Sequence, residues 1–67
     1  MITTFKCMFG SGTYLSLKDN HAHCVLGVDG PYDERARYAM TPDAMRELAA
    51  KLIEHAEFIE KRIREDA

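Results

Sequence analysis

The chain has no long run of any kind. No apolar stretch approaches the 18 or more residues of a membrane span, so no transmembrane helix is expected. The N-terminal MITTFKCMF has no charged n-region, apolar h-region or cleavage site, so no signal peptide is expected and a cytoplasmic location is. There is no internal repeat, no low-complexity segment and no long polar tract of the kind that keeps a chain disordered. An excess of positive charge is missing too. Nine Lys and Arg stand against eleven Asp and Glu, for a net charge of -2, which argues against duplex nucleic acid as a partner. Cysteine is scarce, and two residues in a reducing compartment are expected as free thiols. Length itself is short. With 67 residues there is room for one domain, 1–67, and a domain of that size buries only about 60% of the surface its unfolded chain exposes. Chains this small generally need a staple, a metal or a second subunit.

Alternation dominates residues 1–40. ITTFKCMF, TYLSLK, HAHCVLGV and RARYAM read as strands, parted by GSG, DN and DGPYDE. A two-residue turn at Asp19-Asn20 pairs Lys18 with His21, Ser16 with His23 and Leu15 with Cys24. A three-residue loop at Gly10-Ser11-Gly12 sets Phe9 opposite Thr13 and Phe5 opposite Leu17. One face then gathers Phe5, Cys7, Phe9, Leu15, Leu17, Ala22, Cys24, Leu26 and Val28, and in the fourth strand Ala36, Tyr38 and Met40. The other gathers Thr4, Lys6, Met8, Tyr14, Ser16, Lys18, His21, His23, Val25, Arg35 and Arg37.

From Thr41 the period changes. Thr41 suits an N-cap, Pro42 the first helical position and Asp43 the positive end of the helix dipole. Met45, Leu48, Ala49, Leu52, Ala56, Ile59 and Ile63 recur at helical spacing, backed by Glu47–Lys51, Glu57–Lys61 and Glu60–Arg64 as i,i+4 pairs. The fold class expected is α+β: a four-stranded antiparallel meander over 1–40 and one long helix over 41–67 packed on one face. Such a helix, about 36 Å long, outruns strands of about 23 Å. Phe58, Ile59 and Ile63 are left over, and either a homodimer that buries them or a frayed last turn is expected, the homodimer being the preferred reading.

HAHC, residues 21–24, looks most like chemistry. On a strand His21 and His23 share a face while Cys24 takes the other, so the three cannot ligate one ion, and no further ligand lies nearby. No metal and no cofactor is expected. Cys7 and Cys24 stand two strands apart, about 9.5 Å, too far for a disulfide. Ser16 beside His23 lacks a carboxylate to orient the imidazole, and GSGT lacks the lysine of a phosphate loop. No catalytic residue is expected. What remains is the open face, where Lys6, Tyr14, Lys18, His21, His23, Arg35 and Arg37 form a candidate binding surface with no acidic residue in the set. A protein partner is the first reading. Sequestration of an anionic small molecule such as a nucleotide, with Lys18, Arg35 and Arg37 holding the charge and Tyr14 stacking on a base, is the alternative, and a zinc-binding or hydrolytic role comes last.

The segment YAMTPDAMRELAAKLIEHAEF resembles the closing strand-to-helix part of short bacterial and phage proteins in which a T-P-capped helix follows a small meander. That resemblance implies the fold, and a phage or mobile-element protein that binds a host component or small ligand. It carries over no site residue.

Overall fold

Period-two segments separated by turn residues give a sheet in which each strand pairs only with its chain neighbours. The computed structural model describes residues 1–66. Four strands, β1 (Ile2–Lys6), β2 (Tyr14–Asp19), β3 (Cys24–Asp29) and β4 (Arg35–Met40), form one antiparallel sheet in the order β1-β2-β3-β4, followed by α1 (Pro42–Asp66). The protein is therefore an α+β fold. Ala67, the last position of the expected helix segment, lies outside the described residues.

Both early turns are longer than the sequence suggested. Phe5 pairs with Leu15 and Lys6 with Tyr14, so the first hairpin closes through residues 7–13, with the Cys7 N–H donating to the Thr13 carbonyl at 3.0 Å. Gly10 and Gly12 carry positive φ there, at 63° and 80°, which glycine adopts without steric cost. In the second hairpin Asp19 pairs with Cys24, and the turn is residues 20–23, closed by the Asn20 N–H on the His23 carbonyl at 2.7 Å. Each register slides by an even number of residues. The faces survive such a slip, because side-chain direction repeats every second residue.

One face thus presents Phe5, Leu15, Leu17, Cys24, Leu26, Val28, Ala36, Tyr38 and Met40, as expected. Phe9 and Met8 do not join the sheet; they ride the first turn, exposed. Ala22 likewise sits in the second turn. Among the described residues the buried hydrophobic side chains are confined to one corner, where Cys24 pairs with Met40 across β3 and β4, at 2% and 4% exposure.

α1 starts where expected. The Thr41 hydroxyl accepts the Ala44 N–H at 3.2 Å, and Asp43 and Arg64 complement the two ends of the dipole. Its ion pairs are Asp43–Arg46, Lys51–Glu54 and Lys61–Glu65 rather than the three i,i+4 pairs read from spacing. On so charged and exposed a face several partners are in reach, and each pair is worth little. Packing differs more. α1 meets the sheet mainly at β4, only Ala44 and Met45 are half-buried, and no helix residue is fully buried. Beyond the second turn the helix stands away, leaving a wedge of about 490 Å³ between Leu26, Tyr38 and Met40 on the sheet and Ala44, Glu47, Leu48 and Lys51 on α1. Among the described residues no helix is long and apolar enough to cross a membrane.

Candidate binding face

The face opposite the apolar one is laid out in cross-strand rows. Ile2, Lys18, Val25 and Ala39 form the first, Thr4, Ser16, Gly27 and Arg37 the second, and Lys6, Tyr14, Asp29 and Arg35 the third. Lys6, Tyr14, Lys18, Arg35 and Arg37 of the expected set therefore share this face. His21 and His23 do not. They sit exposed in the turn at residues 20–23, the His21 N–H bonded to the Asn20 side-chain oxygen, because the longer turn lifts them off the strand. Ser16 consequently faces Gly27 rather than His23, so the expected Ser16–His23 pair is not formed.

Asp29 belongs to this face and was missed. Assigning DGPYDE wholly to a turn hid it, although the alternation Val25, Gly27, Asp29 carries the signal. Its carboxylate, largely enclosed, accepts from Arg37 Nη2 at 3.0 Å, and Arg37 Nη1 donates to the Ala36 carbonyl. Gly27 makes room for that guanidinium. A Cβ at position 27 would stand 2.9 Å from both Arg37 Nη1 and Ser16 Oγ, so any other residue there would push those side-chain ends aside. Among the described residues Lys6, Lys18 and Arg35 have no ion-pair partner. Four cations against one carboxylate leave the face net positive. At about 4.8 Å per strand, Lys6 and Arg35 lie roughly 14 Å apart.

Shallow depressions divide the set. Lys6 and Tyr14 line one of about 450 Å³ with Thr4, Cys7, Gly10, Gly12 and Thr13. Lys18 and Arg37 line another of about 380 Å³ with Ser16, Asp19, Asn20, Val25 and Gly27. Arg35 belongs to neither and borders a third beside Glu34. Tyr14 is thus not brought into one pocket with Lys18, Arg35 and Arg37. Among the described residues no three of His, Cys, Asp and Glu converge as metal ligands would.

Both cysteines are free thiols, Cys24 buried and Cys7 half-exposed at the mouth of the first turn. Hydrogen bonds from the Phe9 backbone and the Ser11 hydroxyl hold the Cys7 thiol below its ordinary value, because they favour the thiolate. Cys7 should therefore alkylate with iodoacetamide at a pH where a free thiol is still sluggish, while Cys24 stays unlabelled. The Ser11→Ala variant should move that rate profile back toward higher pH, and an unchanged profile would deny the hydroxyl its role.

No protein-family model, curated protein or solved structure matches the chain. Its functional reading therefore rests on geometry.

Proposed function

We propose that the chain is a small non-catalytic binding module, of the interaction or inhibitor kind found in phages and mobile elements, which works as a homodimer and seats an acidic segment of a macromolecular partner on its open sheet face. One observation carries this reading: four cations share that face with one carboxylate, and only Arg37 is neutralised by it. An extended acidic segment can touch Lys6, Lys18 and Arg35 across the open sheet face, whereas the separate depressions do not enclose a single small anion with all of them. Charge of this kind chiefly steers encounter and selects against basic partners.

The homodimer part is supported by surface area. A folded monomer of 7.6 kDa is expected to expose roughly 4,300 Å², and this chain exposes 6002 Å². Its radius of gyration, 14.6 Å, likewise exceeds the value of about 11 Å expected for 67 residues.

A labelled Glu-rich peptide tests the binding face by fluorescence anisotropy. Binding should weaken steeply with salt, and Lys18→Glu and Arg35→Glu should each lower affinity about tenfold. Salt-independent binding, or variants that bind as well as the wild type, would remove the reading. The anionic-ligand alternative is favoured by the size of the depression at Lys6 and Tyr14. It requires a nucleotide-induced thermal shift that Lys6→Ala abolishes.

A further inference from the structure

The helix carries a pattern that its own sheet does not use. Met45, Ala49, Leu52, Ala56, Ile59 and Ile63 follow one another at intervals of 4, 3, 4, 3 and 4 residues. An apolar residue every 3.5 positions is the seam of a two-helix coiled coil, narrower than the stripe that suits a sheet. The seam also points elsewhere. Ala44, Glu47, Leu48 and Lys51 line the wedge over the sheet, and at about 100° per residue the seam lies some 110° round the helix from them. Past Met45 it is uncovered, with Leu52 62% and Ile63 63% exposed. Phe58 is off the seam, about 100° from Ile59, with Arg62 stacked over its ring at 5.1 Å.

We infer that a second copy of this chain covers the seam, the two α1 helices running antiparallel about a two-fold axis at the level of Glu54. This rests on the homodimer reading above and specifies its interface. About that axis Met45 meets Ile63 of the second copy, Ala49 meets Ile59 and Leu52 meets Ala56, and symmetry repeats the three layers in reverse. In the inner layers a small residue faces a large one, which fills the space between the helices evenly. Beside the seam Arg46 meets Glu60 with opposite charge, and Ile53 meets Ile53. Parallel pairing does worse on both counts. It stacks Ala49 on Ala49 and Ala56 on Ala56, leaving gaps, and places Arg46 and Glu60 about 21 Å apart along the axis.

There is surface to cover: the protein exposes roughly 1,700 Å² more than a compact monomer of its mass, part of it along this seam. The antiparallel arrangement also sets the last turns of the second helix beside the first turns of α1, next to the wedge at Leu26, Tyr38 and Met40, where the sheet itself is short of cover.

Sedimentation equilibrium, disulfide mapping and a charge swap test this together, with circular dichroism confirming that each variant is folded. The mass should be twice 7.6 kDa. In a Cys7→Ser background, which keeps the buried Cys24, Ile53→Cys should cross-link between copies under mild oxidation. Ala49→Cys should not, since its two copies would stand about 15 Å apart along the axis, beyond disulfide reach. Arg46→Glu and Glu60→Arg should each weaken the dimer about tenfold, and the double variant should recover to within about threefold of wild type. A monomeric mass overturns both the dimer and its seam. A dimer that cross-links at Ala49 but not at Ile53, or at neither, overturns the antiparallel seam and leaves the homodimer standing.

Discussion

Met40→Ala is expected to cost about 3 kcal/mol of folding free energy, read from urea denaturation at fixed protein concentration. Met40 and Cys24 are the two buried hydrophobic side chains among the described residues, and they pair directly across β3 and β4. Truncating one leaves a cavity against the other, with little neighbouring core to collapse into it. Met40 also immediately precedes Thr41, whose hydroxyl caps α1, so a loosened strand end disturbs the start of the helix as well. Against a total stability on the order of 5 kcal/mol for a chain of this length, the loss is more than half. Tyr38→Ala, on the same strand and face but 64% exposed, should cost under about 1 kcal/mol in the same measurement. Equal losses at the two positions would mean that the core does not sit at the Cys24–Met40 corner.

The second large effect is thermal. If folding and dimerisation are one event, diluting the protein a hundredfold removes about 2.7 kcal/mol per dimer by mass action. With the enthalpy and entropy usual for a pair of 67-residue chains, that lowers the midpoint of thermal unfolding by roughly 10 °C. Circular dichroism melts at 1 and 100 µM, as arbitrary working concentrations on the order of those used in such work, give the comparison. A midpoint indifferent to concentration would be the mark of a monomer stable on its own.

Side-chain direction was legible in the sequence where turn length was not, and the two have different physical origins. Leu15, Leu17, Cys24 and Leu26 fall on one face because a strand repeats every two residues, and the even slips at both hairpins left that division intact. The turns themselves were misjudged. Asp19-Asn20 has the chemistry of a two-residue turn, yet the chain extends β2 through Asp19 and turns over residues 20–23, so that Asp19 gains Cys24 as its pair. That one difference took His21 and His23 out of the candidate face. Asp29 was lost to the opposite error, a strand end taken for part of a turn. Amphipathicity showed that one side of α1 needs covering, but a pattern of apolar residues does not say whether the cover is the chain's own sheet or another molecule. Phe58, Ile59 and Ile63 are all left exposed, as the excess of helix length over strand length implies, but Phe58 sits on a different side of α1 from the other two.

The plain order of the meander has a consequence in time. Every strand bonds only to its neighbour in sequence, and the most distant strand pairs, Ile2 with Lys18 and Cys24 with Met40, close short segments of chain. Short closures lose little entropy before contacts form, so hairpins assemble within microseconds and a helix such as α1 sooner still. Nothing within one chain is slow to find. If a second copy covers the helix as proposed, the encounter of two chains sets the pace, and freshly made molecules then mature at a rate fixed by how many of them are present.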